Sequence, residues 1–178
     1  MRIGIFGGTF DPPHVGHLIL AEEAIYQLRL QKVLFILTPF PPHKEGQFIS
    51  PLSQRLTLLQ AAIRENPFFR LSRVDINRQP PHYAADTVAL LAKRNHQASL
   101  VYLMGGDSLH DLPGWHTPER FLAGCAALGI LRRPGDQVDM ALLEAQFPGI
   151  TAMIEWIEAP LLEIASSEIR QRIQEGGS

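Results

Sequence analysis

Short β-branched and aromatic runs alternate with longer segments of helical period along the whole chain, and that alternation constrains the fold more than any other feature. Ile3–Phe6 and Val33–Leu37 read as the first two strands, and 69–75, 100–104, 126–131 and 153–158 as four more. Between the first two, Leu18, Ala21, Ile25 and Leu28 recur at helical spacing. Leu52, Leu56, Leu59 and Ile63 do the same after a Ser50–Pro51 start signal. Val88 and Leu91 mark a third helix and Met140 to Phe147 a later one, while Ile169 and Ile173 share a face of the last. Strands separated by helices close through right-handed crossovers. The expected fold is therefore α/β, a doubly wound, mainly parallel sheet with helices on both faces. No repeat or linker divides the chain, so residues 1–178 are expected to form a single domain.

Bulk composition removes several function classes. Lys and Arg number 16 against 18 Asp and Glu, a formal net charge of −2, which argues against a dedicated nucleic-acid surface. No apolar run approaches the ~18 residues that a membrane span needs. The opening RIGIF is followed at once by glycines and is too short for a signal peptide. Cys125 is the single cysteine, so neither a disulfide framework nor a cysteine zinc cluster is expected. These features point to a cytoplasmic protein with no nucleic-acid or membrane partner. Monomer and homo-oligomer both stay open.

A parallel sheet of this kind binds ligands at the carboxyl ends of its strands. The unusual polar residues gather in the loops expected at that edge: GGTFDPPHVGH, TPFPPHK, QPPHYAADT, GGDSLHDLPGW, RRPGD and APLLEIASSEIR. In the first, Gly7 and Gly8 are expected to bring backbone close to a ligand and to adopt positive φ, with Thr9 and Phe10 beside them. His14 and His17 are expected on one face of the following helix near its N-terminus, where unpaired N–H groups and a partial positive charge attract phosphate. Two imidazoles there could donate to charge developing in a transition state. Lys44, on a loop of three prolines, and Arg133, beside Arg132, are suitable phosphate contacts, although each taken alone reads first as an ordinary surface cation. Ser166, Ser167 and Arg170 open the last helix and could converge on an anion.

Asp107, after Gly105–Gly106, could accept from a ribose or cap the helical turn that follows. Trp115 could stack on a flat ring or simply cover the core. Tyr83, Asp86 and Thr87 read first as a loop ending in a helix cap.

The string GGTFDPPHVGH resembles the nucleotidyltransferases with an HxGH signature, and more specifically bacterial nicotinate-nucleotide adenylyltransferases. The likeness continues through PPHK, HYAADT, GGDSL, the tryptophan at 115, RRPG and IASSEIR. It implies a Rossmann-like nucleotidyltransferase fold, with ATP and nicotinate mononucleotide as substrates and Mg²⁺ carried on the triphosphate. The mononucleotide's 5′-phosphate would attack the α-phosphate of ATP, giving the deamido dinucleotide and pyrophosphate without a covalent enzyme intermediate. The resemblance makes His14 and His17 the transition-state residues. It assigns Gly7, Gly8, Thr9, Phe10, Gly105, Asp107, Arg133, Ser166, Ser167 and Arg170 to ATP. To the mononucleotide it assigns Lys44, Tyr83, Ala84, Thr87, Trp115 and His116. No residue is expected to ligate a metal directly.

Three departures from the family pattern stand out. Ala165 replaces a usual serine and Ser167 a usual threonine, Ala84 stands where threonine is common, and the chain stops at EGGS soon after Arg170. The last bears on assembly and stability more than on chemistry. The rival readings are the same chemistry on another acceptor, a metal-dependent phosphohydrolase built on His14, His17 and Asp107, and a nucleotide-binding regulator without turnover.

Overall fold

A computed structural model describes residues 1–42, 46–132, 138–160 and 162–177. One six-stranded sheet, parallel throughout, runs in the order β3-β2-β1-β4-β5-β6. The strands are β1 (Arg2–Gly8), β2 (Lys32–Leu37), β3 (Phe69–Ser72), β4 (Ser99–Gly105), β5 (Ala127–Leu131) and β6 (Ile154–Ile157). The longer helices are α1 (Val15–Gln27), α2 (Leu52–Ile63), α3 (Ala84–Arg94) and α8 (Ser166–Gln174). Between them lie α4 (Gly106–His110), α5 (Pro118–Ala123), α6 (Met140–Gln146) and α7 (Ile150–Met153).

The six expected strands are all present, β3 the most shortened of them. β3 ends at Ser72, and the chain then turns so that Asp75 can enter the interior. The helical turn expected after Asp107 is α4, whereas α5 and α7 were not anticipated, since four to six residues are too few to display a helical period.

Residues of β1, β2 and β4 alternate between two apolar layers, because successive side chains point to opposite faces. Ile3, Ile5, Ile36, Leu100 and Tyr102 pack with α3 and α5 on one face. Phe6, Val33, Phe35, Val101 and Leu103 pack with α1 and α2 on the other. Every central strand is thus buried on both sides, which is why these segments read as continuous apolar runs.

Candidate active site

The strand order reverses at β1, whose neighbours are β2 on one side and β4 on the other. Pairing of β1 with β4 ends at Ile5–Tyr102, whereas pairing with β2 continues to Gly8–Leu37. A crevice therefore opens between β1 and β4, as expected at such a switch point. It holds a cavity of about 1110 Å³, lined by residues that include Gly7, Thr9, His14, His17, Gly105, Asp107, Tyr83 and Trp115. The Tyr102 ring forms its floor so closely that a β-carbon on Gly7 would stand 2.7 Å from the tyrosine oxygen. Burial pushes the Tyr102 phenol up, so it remains a neutral hydroxyl.

Behind β1 two expectations need correction. Neither Gly7 nor Gly8 has positive φ; the left-handed residue is Phe10, at φ 47°. The glycines belong to β1 itself and are needed for close approach, to Tyr102 and to the Phe10 ring respectively. His14 is not within the helix but is its extended N-cap, at φ −143° and ψ 170°, with His17 at the third helical position. The two rings still meet, with centroids 3.7 Å apart. The His14 backbone N–H donates to His17 Nδ1 at 3.1 Å. Neutral His17 must then carry its proton on Nε2, which makes that nitrogen a donor. Gly16 between them allows the segment before α8 to approach, because a β-carbon there would lie 3.1 Å from His14 Nδ1 and 3.3 Å from Ile164.

Helix α8 docks on this same loop. Ser166 Oγ donates to the Pro12 carbonyl at 2.8 Å, and Arg170 donates to the Asp11 carbonyl at 2.6 Å. These two residues, expected to meet an anion directly, are thus anchored on the backbone beside the histidines, while Ser167 is exposed. On the other flank stands Arg55 of α2, which the sequence reading missed. It is 2% exposed and its donors go to the carbonyls of Thr9, Thr38, Pro39 and Ser50. Burial lowers the pKa of its guanidinium while the nearby Asp11 carboxylate opposes that shift.

Across the cavity, Tyr83 is the N-cap of α3 and stacks on exposed His116, centroids 3.9 Å apart. Trp115 is half-buried, with one side of its indole packed on Tyr102 and Phe121 and the residue still lining the cavity. The core-covering reading of this tryptophan holds, and its place in the cavity lining leaves the other open to a ligand. Thr87 turns inward, and its hydroxyl donates to Asp75 Oδ1 at 2.7 Å. Arg78 pairs with the same oxygen at 2.9 Å and donates to the carbonyls of Pro81 and Tyr83. Buried His82 lies alongside, stacked on Phe40; burial first, and the Arg78 charge second, lower its pKa, with Asp75 partly compensating. Asp75, Arg78 and His82 were also missed.

Asp107 lies in the first turn of α4, where its Oδ1 accepts from the Ser108 N–H at 2.8 Å, and it still lines the cavity. Asp86 pairs with Arg120 at 2.7 Å. Lys44 and Arg133 lie outside the described residues. Arg132 sits over the Trp156 ring at 4.6 Å. Among the described residues, no group of three or more His, Cys, Asp or Glu is placed to hold a metal ion, and no helix is long and apolar enough to cross a membrane.

The cytidylyltransferase-like family model matches residues 5–172. A probable nicotinate-nucleotide adenylyltransferase of Thermomicrobium roseum is 48% identical over 98% of this chain and 81% of its own length. The nicotinate-nucleotide adenylyltransferase of Bacillus subtilis is 37% identical over 97% of this chain and 86% of its own. The chain belongs to the nicotinate-nucleotide adenylyltransferase family. The fold agrees: nicotinic acid mononucleotide adenylyltransferase of Plasmodium falciparum, solved in complex with NaAD, superposes with a TM-score of 0.79 at 18% identity, over 99% of this chain and 86% of that one. Two places where this chain departs from the expected motifs now have structural addresses. Ala84 is the first residue of α3 and lines the cavity, and Ala165 is the N-cap of α8, where it offers no side-chain acceptor.

Proposed function

We propose that this protein transfers the adenylyl group of ATP to the 5′-phosphate of nicotinate mononucleotide, a step of NAD biosynthesis, and does so in the cytoplasm. The observation that carries the reading is the continuity of the cavity. It joins the imidazoles at the N-terminus of α1 to the half-buried indole of Trp115, so a phosphate-handling end and a ring-stacking end share one space. ATP enters as its magnesium complex, the metal being part of the substrate.

A 5′-phosphate oxygen of the mononucleotide attacks the α-phosphorus. The bond from that phosphorus to the oxygen bridging to the β-phosphate breaks, and pyrophosphate leaves with the electron pair. Such a step needs positioning and charge stabilisation more than a nucleophilic side chain. His17, fixed as an Nε2 donor by the His14 N–H, and His14 itself stabilise the charge on the α-phosphate oxygens. Gly7, Gly8, Thr9 and Phe10 offer backbone, Gly105 and Asp107 take the ribose, and Ser166, Ser167 and Arg170 stand at the pyrophosphate end. Trp115 stacks on the pyridine, with Tyr83 and Thr87 shaping that side. The N–H groups of Ala84 and His116 receive the carboxylate, which explains how alanine can replace threonine at 84. Lys44 and Arg133 keep the phosphate roles that the resemblance implies.

Pyrophosphate release measured with ATP, Mg²⁺ and either nicotinate or nicotinamide mononucleotide tests the proposal. The nicotinate substrate should have the far higher kcat/KM, because a neutral amide leaves donors arranged for an anion unpaired. Equal values would remove the acceptor assignment, and no pyrophosphate with either would remove the reaction.

A further inference from the structure

Arg55 is a buried cation with no carboxylate within ion-pair distance among the described residues. Its Nε donates to Ser50 at 2.9 Å, one Nη to Thr9 at 2.9 Å and Thr38 at 3.0 Å, and the other Nη to Pro39 at 2.9 Å. The four carbonyls come from two loops, one behind β1 and one between β2 and α2. Both loops line the cavity, through Thr9 and Thr38. A buried charge is tolerated only when polar partners offset its desolvation. Here every partner is backbone, so the interaction energy is delivered to loop geometry. Only a planar fork of donors fixes several peptide planes relative to one another.

Peptide planarity carries that constraint to the opposite side of the chain. In the Thr9–Phe10 peptide the N–H points opposite to the carbonyl, hence away from Arg55. Phe10 takes a left-handed φ of 47°, which a phenylalanine seldom adopts unless its surroundings impose it. The Asp11 carboxylate ties the loop again to the segment before α2, accepting from the Ser50 N–H at 3.1 Å. Farther along, Arg170 and Ser166 take the carbonyls of Asp11 and Pro12. Three carbonyl oxygens of one loop, at residues 9, 11 and 12, are therefore each drawn onto a donor. A loop that meets phosphate must keep such oxygens turned away from it.

We propose that Arg55 is a positioning residue, which holds the β1 and β2 loops in one register and turns the Thr9–Phe10 peptide so that its N–H, not its carbonyl, is offered to the phosphates of the nucleotide. It acts through backbone and does not touch substrate. The proposal rests on the adenylyl-transfer reading for the identity of the nucleotide, not for the geometry of the loop.

The test uses Arg55→Lys, which keeps a charge but not the fork, Arg55→Met, which removes both, and Ile63→Ala at the far end of the same helix as a control for lost stability. Hydrogen exchange of residues 8–13, affinity for a non-hydrolysable ATP analogue with Mg²⁺, and kcat and KM for ATP are measured well below each melting temperature. Arg55→Lys should speed exchange in residues 8–13, weaken analogue binding and lower kcat/KM for ATP roughly 10²-fold, the scale of a displaced reacting geometry. Ile63→Ala, at an equal or lower melting temperature, should change none of these by more than about two-fold. The proposal is overturned if Arg55→Lys leaves exchange and kcat/KM at wild-type values, or if Ile63→Ala reproduces its effects. Should Arg55→Met fail to fold, Arg55→Lys decides the matter. A wild type that binds the analogue but forms no pyrophosphate sinks the adenylyl-transfer reading alone, and Arg55 is then judged on exchange and affinity.

Discussion

At the β1 end of the cavity a buried guanidinium, Arg55, faces carbonyl oxygens, whereas at the β3–α3 end a half-buried one, Arg78, faces a buried carboxylate, Asp75. Both arginines hold loops through backbone, since Arg78 also takes the carbonyls of Pro81 and Tyr83. The difference lies in what balances the charge. Carbonyl dipoles do not titrate, so the grip of Arg55 on its two loops does not depend on the protonation of its acceptors. The acceptor end gathers Asp75, Arg78 and His82, and there burial and the Arg78 charge lower the pKa of His82. The Arg55 clamp thus has acceptors indifferent to pH, whereas the region around His82 carries a sensitivity to acid.

The largest expected effect breaks the phosphate end at its chemistry. His17→Ala should lower kcat by roughly 10²–10³, the scale of losing one transition-state donor, while ATP affinity changes much less. Steady-state kinetics with a binding measurement decides this, and an unchanged kcat would take His17 out of the mechanism. At the acceptor end, Asp75→Asn leaves Arg78 facing no counter-charge. Urea unfolding should record a loss of about 3 kcal/mol, the low end for removing one partner of a buried pair. A loss no larger than that of a surface substitution would show that the ion pair does not hold this region.

Next in size is Ala165→Ser, which gives α8 the N-cap acceptor it lacks. It should add about 1 kcal/mol of stability and shift KM for ATP only a few-fold, since the cap sits behind the loop rather than on the phosphate. A large change in KM would mean that residue 165 faces the nucleotide.

The smallest effect is conditional on pH. His82 has its pKa lowered in the fold, so the unfolded chain binds its proton more readily. Stability from this group is complete above the ordinary histidine range of about 6.5 and declines as pH falls from there toward the depressed value. His82→Asn should leave stability near pH 8 almost unchanged in its pH slope and flatten the decline between about pH 6.5 and 5. Thermal melts across that range check it; an identical slope in both proteins would remove His82 as the sensor.

Sequence pattern disclosed the strands, the longer helices and the edge where the loops converge, because each of these leaves a period or a run of turn residues. His14, His17, Trp115 and the first loop were legible for the same reason. Arg55 was not singled out, although its position carries a signal. It lies three residues after Leu52 and four before Leu59, so a helical projection puts a charge inside the apolar stripe of α2. Thr87, between Ala84 and Leu91 on the inner face of α3, is a milder case. Asp75 and His82 lie in irregular segments, where no period marks the inward direction, and only the folded chain could show them. Gly7 and Gly8 teach a different lesson. Glycine suggested positive φ, but the sheet used them to admit a tyrosine and a phenylalanine ring, and the strain went to Phe10.

The contacts from Ser166 to Pro12 and from Arg170 to Asp11 join positions 154 and 159 residues apart. During synthesis the histidine loop therefore leaves the ribosome long before its clamp exists, by roughly ten to thirty seconds at ordinary elongation rates. Most of the sheet can assemble in that interval while the loop lacks one of its two flanks. A chain released early would carry both histidines and Arg55 but could not hold the loop from the α8 side. Completion of the last helix is thus the event that finishes the first loop, and translation itself sets the order in which the site is made.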